Sequence, residues 1–545
     1  MKKPLLIAVL LFFLFGNLFP QAKKENQVKP KLLVGIVVDQ MRNDYIYRYW
    51  NRFGSGGFKR LISQGYYFRN HHFNYVPTYT GPGHASIYTG STPRRHGIIG
   101  NDWYVKSTQT KVNCVQDTGV KPIGTKNNSG RMSPKNLLST TLGDELKLSS
   151  PKSKVIGIAL KDRSAILPAG HAADAAYWID EVSGDFISSS WYMNDLPRWL
   201  KNFNDEHLAK TYLEKWWAPL YPIDTYTASL PDETKYEAVP NKKDFPVFPY
   251  EYKTFIAKSD FSILKATPYG NSITKDLAME CIVKEELGKD DFTDLLCISF
   301  SSSDIIGHAY GPRSVETEDC YLRLDKDLEE LLNRLDKEVG KGNYLVFLTA
   351  DHGGADVPKH LMEQKIPAGY ALESKVLKAA RKFMLSSYGD TLLLSAVMNE
   401  QLYLNEKRCE ALRLNLDELE EKLCRFLLTE NGIAEAYPSK VMRYGAFEKQ
   451  DIRTYLQNGY NFRLSGNICY TLKPAWMDHG EKGTTHGSAY DYDTHVPLIF
   501  FGTGISAGEN MDWCSIPQIA PSLSELLKIN RPNSSSGDLL PGLFR

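Results

Sequence analysis

The chain has 545 residues, of which 42% are hydrophobic and 24% are charged, and its formal net charge is +1. This length exceeds one ordinary domain, so we expect one large catalytic domain with insertions or a smaller second domain. A net charge so close to zero provides no general attraction for nucleic acid or for a membrane surface. Recognition of an anionic ligand would therefore depend on a local cluster of charges.

The first residues have the pattern of a secretory signal peptide. Two lysines precede an apolar stretch over 5–19, and Ala22 offers a small residue near a cleavage site. The apolar stretch is short for a membrane span of about 20 residues. We therefore predict a cleaved signal peptide over 1–22, a periplasmic or secreted mature chain over 23–545, and no stable insertion into a membrane.

Apolar runs typical of buried strands recur along the chain, at 32–38, 154–160, 294–300, 344–350 and 497–502. They do not alternate with polar residues, which indicates strands covered on both faces, as in a parallel sheet. Helical patterns lie between them, over 134–148, 273–288 (with Gly288 as its C-cap) and 315–340. The sequence therefore predicts an α/β fold with a doubly wound, mostly parallel sheet flanked by helices.

Two long segments do not fit this alternation. Residues 190–270 are rich in Trp, Tyr and Pro and are predicted to form an insertion that lies over the core. Residues 360–475 mix a helix, short strands and loops, and are predicted to form a second lobe or cap. The eight cysteines include no C-x-x-C pair, so buried thiols or a few structural disulfides are expected rather than a thiolate metal site.

Six potential metal ligands lie at or near the ends of the apolar runs: Asp39, Asp304, His308, Asp351, His352 and His486. Asp304 and His308 are four residues apart, so on a helix they share one face. Asp351 and His352 are adjacent and can converge only where a strand ends, and Gly353-Gly354 provides that turn. Each residue alone is compatible with a structural role. Their joint position at strand ends, where α/β sheets bind ligands, predicts two metal ions at one edge of the sheet.

A candidate nucleophile lies in the segment NYVPTYTGPGHASIYTG. The Gly-Pro-Gly run over 81–83 forbids a regular strand, and the residues after it can open a helix. Thr80 would then lie at the helix N-terminus, where free N–H groups favour anions, and an adjacent zinc ion would lower the pKa of its hydroxyl. The alternative is that Thr80 is only an N-cap residue.

The segments PTYTGPGHASIYTG, SSSDIIGHAYGPRS, TADHGG and THGS together resemble the alkaline phosphatase superfamily. The resemblance is to the branch with a threonine nucleophile, which includes nucleotide pyrophosphatase/phosphodiesterases, and within it to the phosphate-irrepressible, PafA-type alkaline phosphatases. It implies two Zn²⁺ ions per chain, with Thr80 as the nucleophile that bridges toward the second ion. The implied ligands are Asp304, His308 and His486 for the first ion and Asp39, Asp351 and His352 for the second.

Three further residues bear on the substrate. If the segment from Lys161 to Arg163 is extended, those two side chains point the same way, and paired cations suit the dianion of a phosphate monoester. The resemblance implies that both contact the phosphoryl group, that Asn101 donates to a phosphoryl oxygen, and that Lys161 takes the electrostatic place of a third metal ion.

We therefore expect a monomeric phosphate monoester hydrolase that acts on small molecules through a phosphothreonine intermediate. A phosphodiesterase or nucleotide pyrophosphatase is the alternative enzyme. The alternative that is not an enzyme is an exported protein that binds phosphate without turnover. The presence of Thr80 and of all six ligands disfavours it.

Overall fold

Five parallel strands form the centre of a ten-stranded sheet in the computed structural model, which describes residues 29–238 and 245–544. The predicted signal peptide lies outside these residues. The order across the sheet is β14-β2-β13-β8-β1-β7-β4-β5-β6-β3, with β8, β1, β7, β4 and β5 parallel. Its strands are β1 Leu32–Val38, β2 Tyr66–Phe68, β3 Pro122–Ile123, β4 Val155–Ala159, β5 Ala175–Ile179, β6 Phe186–Ser189, β7 Asp294–Phe300, β8 Tyr344–Thr349, β13 Leu498–Gly502 and β14 Gly508–Asn510.

Each of the five predicted apolar runs forms a strand of this ten-stranded sheet. All residues of β1, β4, β7 and β8 are buried, as expected for strands covered by helices on both faces. The fifth run, β13, is also a strand, but it pairs antiparallel with β8. The prediction of a mostly parallel α/β sheet is therefore confirmed, with antiparallel strands toward its edges.

The described part of the chain contains helices of eight or more residues and several shorter ones. The helices of eight or more residues are α1 Thr80–Thr89, α2 Leu142–Ser149, α3 Asp162–Ala169, α4 Arg198–Asp205, α5 Tyr269–Lys284, α6 Ser302–Tyr310, α7 Val315–Leu335, α8 Glu373–Tyr388, α9 Leu416–Leu427, α10 Ile452–Gly459 and α11 Ile519–Leu527. Shorter helices are Asp44–Arg48, Phe58–Gln64, Pro93–His96, Leu208–Leu213, Lys253–Ile256, Pro358–Glu363, Glu406–Ala411, Ser439–Tyr444 and Asp491–Thr494. None of the helices in the described part of the chain has the length and apolarity needed to cross a bilayer.

The predicted helix bounds were partly wrong. The pattern over 134–148 gives a helix only from Leu142, because Thr141 and Asp144 form a capping box that fixes the start. The next helix ends at Lys284, so Gly288 is not its C-cap; the Gly288 amide donates to the Asp294 carboxylate instead.

The segment 360–475 contains a second, four-stranded sheet in the order β9-β10-β12-β11, formed by β9 Leu394–Met398, β10 Gln401–Leu404, β11 Ile433–Pro438 and β12 Ile468–Leu472. Helices α8 and α9 pack with it around a separate cluster of buried apolar side chains that includes Met384, Leu402, Leu423 and Ile468. We call this unit the lobe.

Within 190–270 the aromatic residues anchor the segment to the body of the fold. Trp217 is fully buried, and its indole Nε1 donates to Asp319 Oδ2 in α7 at 2.7 Å.

All eight cysteines are buried and none forms a disulfide. Of the two expectations for the cysteines, buried thiols or structural disulfides, the structure shows buried thiols.

One close contact fixes α3, the helix that follows Lys161, against the sheet. A Cβ added at Gly157 in β4 would lie 2.1 Å from the Ala165 carbonyl oxygen. We predict that Gly157→Ala lowers the free energy of unfolding by about 1–3 kcal/mol, because helix and strand must separate. Urea unfolding measures this, with Gly480→Ala as the control, since a Cβ at Gly480 meets nothing within 4 Å. A Gly157→Ala midpoint equal to that of the wild type would contradict the contact.

Candidate active site

The six predicted ligands converge at one edge of the central sheet because of its strand directions. Asp39 follows β1, Asp351 and His352 follow β8, and parallel strands have their carboxyl ends at the same edge. An antiparallel strand begins where its parallel neighbours end, so the segment ahead of β13 brings His486 to that edge as well.

Asp304, His308 and His486 form the first cluster, and their ligand atoms lie within 4.8 Å of one another. Asp304 and His308 lie on one face of α6, as their spacing predicts. Asp304 Oδ1 is 3.1 Å from His308 Nε2 and 3.6 Å from His486 Nε2. The two imidazole rings therefore face the same carboxylate oxygen.

The second cluster contains Asp39, Asp351 and His352, all fully buried. His352 Nε2 is 3.4 Å from Asp39 Oδ1 and 3.6 Å from Asp351 Oδ2. These two carboxylate oxygens have no hydrogen-bond donor among the described residues, although each is shielded from solvent. Burial and the charge of Asp39 raise the pKa of Asp351 well above its usual range.

The donor atoms of each cluster face one another, and the hydrogen bonds of the histidines show why both clusters fit metal ions. The Nδ1 atoms of His308, His352 and His486 lie 2.7, 2.8 and 2.7 Å from the backbone carbonyl oxygens of Thr484, Gly353 and Thr78. Donation to these carbonyls fixes the tautomer and leaves each Nε2 lone pair free, as in histidines that bind metals. The first cluster thus offers two imidazoles and the Asp304 carboxylate, and the second offers one imidazole and the unpartnered oxygens of Asp39 and Asp351. Each cluster therefore provides three N/O donors for a divalent cation.

Thr80 lies beside the second cluster. It is the first residue of α1, with Tyr79 as the N-cap, and no side chain caps this helix by a hydrogen bond. Thr80 is 1% exposed, and its Oγ1 is 3.5 Å from His352 Nε2. Thr80 is therefore not the N-cap residue of this helix, which was the alternative role considered for it. Gly83 allows the approach, since a Cβ there would lie 2.3 Å from the Asp351 carbonyl oxygen.

Lys161 lies between the two clusters. Its Nζ is 2.6 Å from Asp39 Oδ2 and 2.6 Å from Asp304 Oδ2, and its side chain is only 5% exposed. Burial disfavours the ammonium, but the charges of Asp304 and Asp39 outweigh it and raise the pKa of Lys161 above its usual value. One buried cation thus bridges a carboxylate from each cluster.

The expectation of an extended backbone from Lys161 to Arg163 was wrong. Lys161 is the N-cap of α3, and Asp162 and Arg163 are in its first turn, because the helix begins directly after β4. Alternation along a strand therefore does not explain the position of Arg163. Its Nε is buried and has no acceptor among the described residues.

Asn101 contacts the start of the helix that carries Thr80. Its Oδ1 accepts a hydrogen bond from the Gly81 amide at 2.7 Å. This bond fixes the orientation of the side-chain amide. In the described part of the chain, its Nδ2 has no acceptor.

Sequence reasoning missed two buried polar residues at this site. His84 Nδ1 lies 2.8 Å from the Thr80 carbonyl oxygen and 3.3 Å from Asp351 Oδ2. Burial lowers the pKa of His84 to about 4, so the ring is neutral at physiological pH. It lies in the segment GPGHAS, but only the fold brings it to Asp351.

Gln40 is the second missed residue, and it contacts both clusters. Its backbone N–H donates to Asp351 Oδ1 at 3.2 Å, and its side-chain Nε2 donates to Asp304 Oδ1 at 2.8 Å. A Cβ added at Gly307 would lie 1.9 Å from Gln40 Oε1, and one at Gly354 would lie 3.1 Å from its side chain. Gln40 has a φ of 61°, a left-handed conformation that is uncommon for residues other than glycine. The local sequence gives no signal for this role.

We predict that Gln40→Ala weakens divalent-metal binding about 10- to 100-fold, because a hydrogen bond that orients a ligand carboxylate is lost. Metal content after titration with a chelator measures this effect. Gln457→Ala is the matched control, since the Gln457 amide also makes two hydrogen bonds, but within the segment 442–457. Equal metal retention in Gln40→Ala and the wild type would contradict the role of Gln40.

Known proteins are similar to this chain in both sequence and fold. A family profile described as type I phosphodiesterase/nucleotide pyrophosphatase matches residues 33–495. The chain is 42% identical to a protein from Myroides odoratus named calcium-transporting ATPase, over 98% of each. It is also 42% identical to alkaline phosphatase PafA from Elizabethkingia meningoseptica, over 95% of each. The two curated names differ in the activity they assign.

A crystal structure of wild-type alkaline phosphatase PafA superimposes on the structure of this chain with a TM-score of 0.92 at 40% identity. The match covers 95% of this chain and 99% of that one. The similarity extends through the body and the lobe, and it agrees with the resemblance carried by the sequence motifs. The chain therefore belongs to the type I phosphodiesterase/nucleotide pyrophosphatase family, within the PafA-type group of the alkaline phosphatase superfamily.

Proposed function

We propose that the protein is an exported, zinc-dependent phosphate monoester hydrolase that acts through a phosphothreonine intermediate. The observation that carries the proposal is the position of Thr80 at a helix N-terminus, beside two clusters of metal ligands that Lys161 joins. Hydroxyl, cations and helix N–H groups together form a receptor for a phosphoryl dianion. The similarity to PafA alkaline phosphatase supports the same reaction.

The two clusters would hold two Zn²⁺ ions, since each provides three N/O donors and leaves a coordination position for substrate. Zinc ions so held would supply Lewis-acid activation of the nucleophile and charge stabilisation for the leaving group. Thr80 would be next to the second ion. Asp304, His308 and His486 would hold the first.

The protein's own groups account for the positioning of the substrate. The Arg163 guanidinium and the free Asn101 amide donate to the phosphoryl oxygens, while the Lys161 ammonium adds positive charge beneath them. Phosphoryl transfer passes through a loose anionic transition state, so these contacts act mainly through electrostatics and orientation.

The covalent steps follow from the position of Thr80. Its Oγ1 forms a bond to phosphorus as the ester P–O bond breaks, and the alcohol leaves with a proton. Water then forms a new bond to phosphorus as the bond to Thr80 breaks, which releases inorganic phosphate and restores the hydroxyl.

A phosphodiesterase is the alternative, favoured by the description of the family profile. Arg163 and Lys161 argue for the monoester, because two cations near the phosphoryl oxygens match the extra charge of a dianion. A diester carries only one negative charge and would gain less from the second cation.

Export is part of the proposal and is supported by the residues of 1–22 alone.

We predict that Thr80→Ala retains both metal ions but loses most of its turnover of an aryl phosphate, at least about 10³-fold, because no nucleophile remains. Metal content and kcat are measured together. Thr80→Ser should keep part of the activity, and Thr429→Ala, an exposed threonine of the lobe, is the control. Near-normal turnover in Thr80→Ala would exclude the covalent mechanism.

We predict that Arg163→Ala lowers kcat/KM for an aryl phosphate about 10²-fold and affects the matching bis-aryl diester much less. Arg163 is the cleaner probe, because Lys161 also neutralises Asp39 and Asp304, and its loss changes metal binding too. The double variant Lys161→Ala/Arg163→Ala should show a larger loss on the monoester. Arg198→Ala, an exposed arginine, is the control. Equal losses on monoester and diester would favour the diesterase.

A further inference from the structure

The lobe reaches the candidate active site through the tip of one hairpin. Strands β9 and β10 are joined by Asn399 and Glu400, whose φ angles are 55° and 52°. Two left-handed residues in a two-residue turn match a type I′ hairpin, where glycine or asparagine is usual. A glutamate there is uncommon, and such backbone conformations cluster at functional sites.

The tip is fixed against the body of the fold. Asn399 Nδ2 donates to the Asp102 carbonyl oxygen at 2.8 Å, next to Asn101. Glu400 Oε2 accepts a hydrogen bond from the Tyr79 hydroxyl at 3.4 Å, and Tyr79 precedes the candidate nucleophile. The hairpin thus places the Glu400 carboxylate beside Tyr79, the residue before Thr80.

Glu400 belongs to a group of three carboxylates without ion-pair partners. The Glu400 amide donates to Glu373 Oε1 at 3.1 Å, and the Glu373 amide donates to Asp478 Oδ1 at 3.2 Å. No lysine, arginine or histidine of 29–238 or 245–544 forms an ion pair with any of the three. Burial and the charges of Glu373 and Asp478 raise the pKa of Glu400. A cation placed among them would offset this repulsion.

Two of these carboxylates, those of Glu400 and Asp478, border a cleft that a residue of the candidate active site also lines. The cleft is open to solvent, and its walls include Tyr79, Glu400, Asp478 and the first-cluster ligand His486. The Tyr79 ring lies edge-on to His486, with ring centroids 5.5 Å apart. A group that leaves the phosphorus on the His486 side would enter this space.

The other walls combine aromatic residues with aliphatic ones such as Ile452 and Leu456. The rings of Tyr470, Trp476, Tyr490 and Tyr492 line the cleft, and no lysine or arginine of the described residues does. Asp493 also lines it; this residue is 1% exposed, and its Oδ1 has no hydrogen-bond donor in the parts of the chain that the structure describes. Aromatic faces beside carboxylates are the recognised setting for an ammonium group.

We propose that this cleft binds a cationic leaving group, so that the preferred substrates are phosphate monoesters of short ammonium alcohols, with Glu400 as the counter-ion. This inference rests on the proposed monoester hydrolysis and names its substrate class. The phosphoryl dianion would bind at Lys161 and Arg163, and the ammonium group would bind between Glu400 and the aromatic walls. The two ends of such a substrate have opposite charge, and each would meet the opposite charge in the protein.

The test compares substrates that differ in one charge. Phosphocholine and phosphoethanolamine carry a cation, and 3,3-dimethylbutyl phosphate is the neutral isostere of phosphocholine. For the metal-loaded wild type we expect kcat/KM to be about tenfold higher for the cationic substrates than for the neutral one, the factor that corresponds to about 1.4 kcal/mol. Glu400→Gln keeps the size and the acceptor for Tyr79, and should bring the ratio close to one. Glu418→Gln, an exposed glutamate of the lobe, should leave the ratio unchanged.

A wild-type ratio near one would overturn the inference even if Glu400→Gln did not fold. An unchanged ratio in a folded Glu400→Gln would overturn the role of Glu400. Hydrolysis of all three monoesters without preference would leave the proposed function intact. Failure to hydrolyse any of them, with turnover of a diester, would refute the proposed function instead.

Discussion

Three carboxylates, from Asp39, Asp304 and Asp351, are buried at one edge of the sheet, and this is the constraint that the site depends on. Buried charges of one sign repel strongly unless cations lie between them. Lys161 provides one such cation and joins one carboxylate from each cluster. The Nε2 atoms of the nearby histidines face these carboxylates, an arrangement that suits divalent cations as the further positive charge. Two carboxylate oxygens among the described residues, Asp39 Oδ1 and Asp351 Oδ2, lack a hydrogen-bond donor, which fits the same arrangement.

The groups around this acidic centre are held by backbone contacts more than by each other. The three histidines are anchored through backbone carbonyl oxygens, and Asn101 is anchored through the Gly81 amide. A side chain fixed in this way loses little further freedom when substrate binds, which is the usual condition for electrostatic stabilisation of a transition state. Rigid strand ends and helix starts therefore determine the geometry of the site.

Much of this arrangement could be predicted from the sequence, because continuous apolar runs locate the buried strands and ligands at strand ends must share an edge. The division of the ligands into two clusters came from the family resemblance, and the structure has the same grouping. The backbone conformation at Arg163 was predicted wrongly because the helix begins at Asp162, a boundary that the pattern does not reveal. Gln40 could not be found at all, since its role depends on a left-handed backbone and on contacts with residues more than 250 positions away.

The antiparallel direction of β13 has a consequence for folding. Because His486 is carried by the segment ahead of that strand, the first cluster is complete only after the whole lobe has been added to the chain. Bringing His486 to Asp304 closes a loop that contains the lobe, at an entropic cost that grows only slowly with loop length. The second cluster needs nothing beyond His352, so its ligands can assemble earlier. The lobe is thus inserted between two parts of one metal-binding edge. A chain truncated within the lobe would retain all three ligands of the second cluster but only Asp304 and His308 of the first.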